Sequence, residues 1–245
     1  VEVALPGLEL AGELDPLVLE RVVPEDHGLL EPPGAPVHPA READVRLRHE
    51  LREPRTLDGR ASKSRRRRHR RLAPPPLIPA AVLVPLVDHG ERLTVLLTER
   101  AADLRAHAGQ ISFPGGRIDP DDVSPEAAAL REAEEEISLP PASVELVGRL
   151  DTYEVRTGFE ITPVVGFVAP GFEMVYEPGE VADAFEVPLD FILDPGNHER
   201  QSRVFQGKRR YFYVLPFEDR YIWGATAGML VNLYEVLTGE TARWR

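Results

Sequence analysis

Three glutamates, Glu132, Glu135 and Glu136, stand three and four residues apart in a segment with helical periodicity. At about 100° per residue they share one stripe, beside an apolar arc formed by Ala129, Leu130, Ala133 and Ile137. Like charges so placed repel by roughly a few tenths of a kcal/mol per pair, and by more where they are partly desolvated. A bound divalent cation removes the conflict, because Mg²⁺ or Mn²⁺ takes hard carboxylate oxygens and keeps positions open for water and phosphate oxygens. A run such as Glu134-Glu135-Glu136 is by itself most often a solvated face, so the chemistry depends on what precedes it. The helix that carries these acids is well bounded: Ser124 suits the N-cap, Pro125 the first position, and Pro140 forbids continuation, which predicts Pro125 to Ser138.

Ahead of the helix runs Phe113-Pro114-Gly115-Gly116-Arg117-Ile118-Asp119-Pro120-Asp121-Asp122. Gly115 and Gly116 permit a backbone approach that a Cβ would block, so this loop either lends a carbonyl to a metal shell or is simply a turn. Loop and helix together resemble the Nudix box, G-x5-E-x7-R-E-U-x-E-E-x-G-U with U a bulky aliphatic. Gly116 matches the first Gly, Arg131 and Glu132 the R-E pair, Glu135 and Glu136 the E-E pair, and Leu139 the last aliphatic. Asp122 stands where the first Glu belongs, one extra residue separates it from Arg131, Ser138 replaces the final Gly, and Ala133 is smaller than the usual aliphatic. Upstream, Leu96-Leu97-Thr98-Glu99-Arg100-Ala101, then Arg105, Gly109 and Phe113-Pro114-Gly115-Gly116, is similar to the signature of the coenzyme A pyrophosphatase branch of the Nudix hydrolases. The Asp-for-Glu change and the extra residue occur in that branch too. The similarity runs on through Glu180 to Leu189 and Trp223-Gly224-Ala225-Thr226-Ala227, covers roughly residues 75 to 240, and says little about residues 1–72.

The resemblance implies a Nudix-type α/β/α sandwich with a mixed sheet. It also implies metal-dependent cleavage of a nucleoside diphosphate linked to another group, which for coenzyme A releases 3′,5′-ADP and 4′-phosphopantetheine. On that basis Glu132 and Glu136 are the first metal ligands, Glu135 shares a second ion, and Gly116 supplies the loop carbonyl, with Mg²⁺ or Mn²⁺ as cofactor. Arg131 either orients these carboxylates or forms an ordinary helix salt bridge. The general base is Glu135 or Glu180, although an exposed loop glutamate is usually just solvated. Arg100 and Arg105 are the candidates for the substrate's phosphates, each with the alternative of pairing with an acid such as Asp103. Gly109 and Phe113 complete the substrate-binding set, Phe113 suiting the core better than an adenine platform; Trp223 shares that ambiguity, with core packing favoured. Two other readings stay open: a Nudix hydrolase of another nucleoside diphosphate derivative such as ADP-ribose or NADH, and a non-catalytic nucleotide- or nucleic-acid-binding protein on the same fold. The intact glutamates count against the second.

The elements that must hold these residues follow from pattern. Ala80 to Val87 and Leu93 to Thr98 read as paired strands split by the turn residues Asp88, Gly90 and Glu91, with further strands at Val144 to Tyr153, Ile161 to Ala169 and Tyr211 to Leu215. A second helix is predicted at Ala225 to Leu237. Strands separated by a few helices argue for helices on both faces of a mixed sheet. Of the 24 prolines, 12 fall in residues 1–79, so the 245-residue chain divides into an extension, 1–72, and a catalytic domain, 73–245. The extension is expected to be dispensable for the core, with a short helix within Ala40 to Arg52. Its basic run from Arg65 to Arg71 reads first as a solvated connector, then as a polyphosphate or nucleic-acid contact.

Composition narrows the partners. Residues 73–245 carry 28 acidic and 15 basic side chains, which makes nucleic acid an unfavoured partner for the domain. The absence of cysteine excludes disulfides, thiolate metal sites and a cysteine nucleophile. Leu77 to Val87, the longest nearly unbroken apolar run, is interrupted by prolines and far short of the roughly 20 residues a membrane span needs. Glu2, Glu9 and Glu13 without an early Lys or Arg do not suit a leader peptide. The expectation is a cytoplasmic protein, monomer or homodimer, acting on a small molecule.

Overall fold

A computed structural model describes residues 76–102, 109–155, 157–205 and 207–242. The expected extension, its short helix and the Arg65 to Arg71 run lie outside the described residues, as does Arg105. The first strand, β1 (Ile78–Asp88), is the spine of the domain. It runs parallel to β7 (Phe159–Val168) from the Ile78 to Phe159 pair to the Val87 to Val168 pair. Its other edge is shared: β2 (Leu93–Arg100) pairs antiparallel at the far end and β4 (Gly115–Arg117) pairs antiparallel with Ala80 to Val82. Strands β3 (Ile111–Ser112) and β8 (Val181–Pro188) add to β2, while β5 (Val144–Arg149) and β6 (Tyr153–Val155) line the outer edge of β7. Among the described residues these eight strands form one mixed sheet, and β9 (Glu199–Phe205), β10 (Lys208–Phe217) and β11 (Arg220–Trp223) form a second of three.

Because strand side chains alternate between faces, β1 feeds two cores at once. Ala81, Leu83 and Val87 join Leu96, Val164 and Val168 beneath helix α1 (Pro125–Ile137), which contributes Ala128, Ala129, Ala133 and Ile137. Val82, Val84 and Leu86 face the other way, toward Leu93, Val95, Leu97 and the residues Met229, Leu230 and Leu233 of helix α3 (Gly224–Thr238). A short helix, α2 (Leu189–Leu193), covers the same side. This continuous burial explains why β1 reads as an unbroken apolar run, and it makes the expected α/β/α layering. Leu83 is fully buried, so its truncation to Ala costs about 2 to 5 kcal/mol.

Alanines at three of the four buried contact positions bring α1 close to the sheet and so fix the height of its acidic stripe. The single strand expected over Val144 to Tyr153 is two strands. Between them Leu150 is 5% exposed and donates its N–H to the Pro163 carbonyl at 3.0 Å, while the Asp151 N–H is taken by the Asn232 side chain at 3.1 Å, so the ladder breaks where α3 reaches the sheet edge. No helix among the described residues is long and apolar enough to cross a membrane.

Candidate active site

The three glutamates of α1 differ sharply in environment, and their angular positions explain why. With Glu132 as origin, Glu136 lies about 40° toward the apolar arc and Glu135 about 60° away from it. Glu136 is accordingly 3% exposed, whereas the Glu135 side chain is 61% exposed. Burial pushes the Glu136 carboxyl up to about 7, against the opposing pull of the Gly115 N–H and of Arg100; the nearby charges of Glu180 and Glu132 raise it further. Burial also raises Glu132, offset by its bond to Arg131.

Arg131 gathers the acids around it. Its Nε donates to Asp122 Oδ1 at 3.2 Å and its Nη2 to Asp122 Oδ2 at 3.0 Å. Nη1 donates to both Glu132 Oε1 and Glu135 Oε2, each at 3.0 Å, and Nη2 also reaches the Arg117 carbonyl at 3.2 Å. The guanidinium bond, followed by the Asp119 N–H, holds the Asp122 carboxyl below the usual carboxylate range, and the same acids raise Arg131 above its ordinary value. Asp122 is thus the counter-ion of Arg131. After it the chain enters α1, whose Ser124 accepts from the Ala127 N–H as an N-cap should.

The two glycines sit between β1 and α1. Gly115 has φ +152°, and a Cβ there would fall 2.5 Å from the Ala81 carbonyl oxygen and 2.6 Å from the Val82 Cα. Its N–H donates to Glu136 Oε2 at 3.2 Å. A Cβ on Gly116 would fall 2.5 Å from the Glu132 carboxylate carbon, so the acid occupies the space that the missing side chain leaves. At the helix end Ser138 adopts φ 56° and ψ 30°, the left-handed conformation that favours glycine, and its N–H caps the Ala133 and Glu134 carbonyls.

These groups open on a cavity of about 750 Å³. Glu132, Glu136, Glu180 and Arg100 line it, together with Gly115 and Gly116. Arg100 Nη1 stands 3.7 Å from Glu136 Oε1. Glu180 is exposed and is brought to the site by its loop, in which the Glu177 N–H bonds the Glu136 carbonyl at 3.0 Å and the Glu180 carbonyl accepts from the Ala101 N–H at 2.9 Å. Glu135 is not in the lining; it stays on the outer side of α1 with Arg131. Gly109 is not in it either: with φ +67° it closes a loop, donating its N–H to the Arg100 carbonyl at 3.0 Å. Phe113 lines the cavity as expected, yet it is only 2% exposed and belongs to the core cluster as well. Among the described residues, no three His, Asp or Glu side chains already converge as a metal-holding group.

Two aromatic residues reach the cavity. Trp223, for which the sequence favours core packing over an adenine platform, is instead 38% exposed at the cavity wall, because β11 ends there and its ring turns outward against Phe212, 5.7 Å away between centroids. Phe159, with the Arg117 guanidinium 5.5 Å from its ring centre, also lines the cavity. Its only sequence signal is its position at the start of a strand.

Comparison with known proteins agrees with the geometry. Residues 77–206 match the family model of the NUDIX domain. Over 154 residues the chain is 44% identical to a Citrobacter koseri protein named as an uncharacterized Nudix hydrolase, NudL, covering 63% of this chain and 80% of that one. The Escherichia coli K12 protein of the same name is 41% identical with the same coverage. Among solved structures, a Nudix hydrolase from M. smegmatis, RenU, has a TM-score of 0.41 at 26% identity over 48% of this chain and 74% of its own. A C. elegans Ap4A hydrolase in a binary complex has a TM-score of 0.40 at 19% identity over 45% and 80%. With the family model spanning more than half of the sequence and a relative matched over most of its length, the chain belongs to the Nudix hydrolases, a family of pyrophosphohydrolases.

Proposed function

We propose that the chain hydrolyses the pyrophosphate bond of coenzyme A or its acyl derivatives, giving 3′,5′-ADP and 4′-phosphopantetheine or its acyl form. The observation that carries this reading is one cavity lined both by the charged residues Glu132, Glu136, Glu180 and Arg100 and by the aromatic residues Phe159 and Trp223. A volume of about 750 Å³ suits a ligand larger than a simple nucleotide. The upstream motif from Leu96 to Gly116 favours coenzyme A among the nucleoside diphosphate derivatives.

Nudix hydrolases generally use divalent metal ions, and the donor set here fits one. Glu132 and Glu136 repel each other in a partly desolvated place, and Arg100 faces only the second of them. Mg²⁺ is commonly held by one or two carboxylates plus substrate phosphates rather than by a full protein cage. Glu132, Glu136 and the carbonyl of Gly116 would hold the ion, and Glu135 is the remaining candidate for a second one. When bound, Mg²⁺ or Mn²⁺ neutralises pyrophosphate oxygens and lowers the pKa of an attacking water.

The chain's own groups do the rest. Arg131 holds Glu132 in place from one side while Gly116 leaves room for it on the other. Arg100 attracts the substrate's phosphates. Of the two candidate bases, Glu180 lines the cavity and Glu135 does not, so Glu180 takes the proton as the water oxygen bonds to phosphorus, and the bridging P–O electrons leave with the departing phosphate. Chromatography of coenzyme A incubated with the protein and Mg²⁺ or Mn²⁺ tests the proposal. Appearance of both products supports it. Intact coenzyme A beside cleaved ADP-ribose or NADH assigns the site to another substrate of the same class.

A further inference from the structure

The three-stranded sheet carries a row of side chains that the reaction above does not use. Leu215 and Ile222 turn one of its faces into the core beneath α3. Strand alternation puts Phe212, Arg210 and Lys208 on the opposite face of β10, and register places Trp223 beside Val214 and Arg203 beside Arg210 on that same face. This face therefore begins at the cavity, with Trp223, and runs outward through Phe212 to a cross-strand pair of exposed arginines.

The arginine pair conflicts with the sheet that carries it. Like charges directly opposite across two strands are destabilising. Neither Arg203 nor Arg210 has an ion-pair partner among the described residues, and the flanking positions on the face are Gln201 and Lys208. The placement is also set against the charge of the domain: residues 199–210 hold five of the 15 basic residues of 73–245 and a single acid, Glu199. An anion bound between the two guanidinium groups removes the repulsion, and arginine's forked donors match the oxygens of a phosphate monoester.

We propose that the outer face of β9, β10 and β11 is a second substrate subsite, in which Trp223 braced by Phe212 stacks a nucleobase and Arg203 with Arg210 binds a phosphate monoester on the nucleoside, away from the scissile pyrophosphate. The assignment of that group to the 3′-phosphate of coenzyme A rests on the function proposed above; a 2′-phosphorylated nucleotide offers the same chemistry. The subsite makes the extra phosphate a selection criterion. Arg200 and Tyr211, stacked 4.0 Å apart on the other side of the hairpin, take no part.

The test compares ligands that differ in one group. Calorimetry of the full chain with Mg²⁺ should give 3′,5′-ADP an affinity at least about tenfold above that of 5′-AMP, the scale of one charge-assisted contact. The variants Arg203→Gln and Arg210→Gln should remove that advantage; both positions are exposed, so folding is not at stake. In turnover, the ratio of Michaelis constants for dephospho-coenzyme A and coenzyme A should be large in the wild type and fall toward one in either variant. A preference for 2′,5′-ADP keeps the subsite and reassigns its phosphate. Equal affinity for all three nucleotides, or an equal loss for all three in the variants, overturns the inference. If coenzyme A is not cleaved yet 3′,5′-ADP keeps its arginine-dependent advantage, the proposed function fails and the subsite stands. If coenzyme A and dephospho-coenzyme A are cleaved with equal Michaelis constants and neither 3′,5′-ADP nor 2′,5′-ADP binds more tightly than 5′-AMP, the subsite fails and the function stands.

Discussion

Arg131 grips both oxygens of Asp122, Nε to Oδ1 at 3.2 Å and Nη2 to Oδ2 at 3.0 Å, and this leaves Nη1 to hold Glu132 at 3.0 Å. A planar fork pinned along one edge cannot swing, so its third nitrogen becomes a fixed point for a carboxylate that lines the cavity. Arg131 acts through Glu132 and is a positioning residue. We expect Arg131→Lys, which keeps the charge and loses the fork, to lower kcat by about 10- to 100-fold with little change in KM, the usual scale for a partner of a metal ligand. A raised KM at unchanged kcat would instead place Arg131 on the substrate.

Glu136 carries the strongest expectation. Glu136→Gln keeps the size of the side chain and its place beside the Gly115 N–H while removing one anionic oxygen donor. Turnover should fall at least about 100-fold with an unchanged circular dichroism spectrum. Near-normal activity across Mg²⁺ and Mn²⁺ titrations would remove Glu136 from the metal set.

The neighbouring glycines should respond differently to the same change. An alanine Cβ at Gly115 meets backbone of β1, at 2.5 Å from the Ala81 carbonyl oxygen, and backbone cannot step aside. At Gly116 it meets the tip of Glu132, a side chain that can rotate away. Gly115→Ala should therefore lower the thermal midpoint clearly, whereas Gly116→Ala should keep it within a few degrees and lose turnover because Glu132 is displaced. Thermal melts and initial rates on the two variants separate the cases; a stable, active Gly116→Ala protein would show that Glu132 does not need that space.

What the sequence made legible was local. The cap at Ser124 lies within one turn of the helix it starts, and the apolar arc of α1 repeats along a single element, so pattern reading reaches both. The environment of the three glutamates was half legible: their stripe, with Glu136 nearest the apolar arc, follows from spacing, but how deeply Glu136 is buried depends on how close α1 approaches β1. The pairing of Asp122 with Arg131, the arrival of Glu180 through the Glu177 to Glu136 backbone bond, and the outward turn of Trp223 depend on contacts between distant segments. Short strands such as β3, β4 and β11 have too few residues to show a period and exist because neighbours supply their ladders.

A different carboxylate contributes to acid stability. Arg149 donates to Glu126 through Nε at 2.6 Å and Nη2 at 2.7 Å, and this pair lowers the Glu126 carboxyl to about 2 from an unfolded value of 4.5. Its ionised form thus favours the folded state, with the full contribution present above about pH 4.5 and lost as pH falls through about 2. Arg149 is 46% exposed, so solvent limits the contribution to about 1 kcal/mol. Denaturant unfolding of Glu126→Gln against the wild type should show that difference at pH 7 and only a small remnant of it near pH 2. A difference independent of pH would mean that packing, not charge, links β5 to α1.

Ser138 ends α1 in the left-handed region at φ 56°, where the family pattern has glycine, and an L-residue with a Cβ pays for that conformation. The cap must be kept, since the Ser138 N–H serves the Ala133 and Glu134 carbonyls and the Leu139 N–H reaches the Ala133 carbonyl at 3.3 Å. Replacing Ser138 by Gly relieves the strain without touching these bonds, although glycine gives back part of the gain through the freedom of the unfolded chain. We expect Ser138→Gly to stabilise by about 0.5 to 1 kcal/mol, a rise of roughly 1 to 4 °C in Tm. The sign is what matters, because Ser138→Ala keeps the Cβ and should give no gain. If Gly lowers the midpoint, the Ser138 side chain is contributing something to the cap that its backbone position alone does not explain, and the departure from the family pattern at this residue would be a stabilising one.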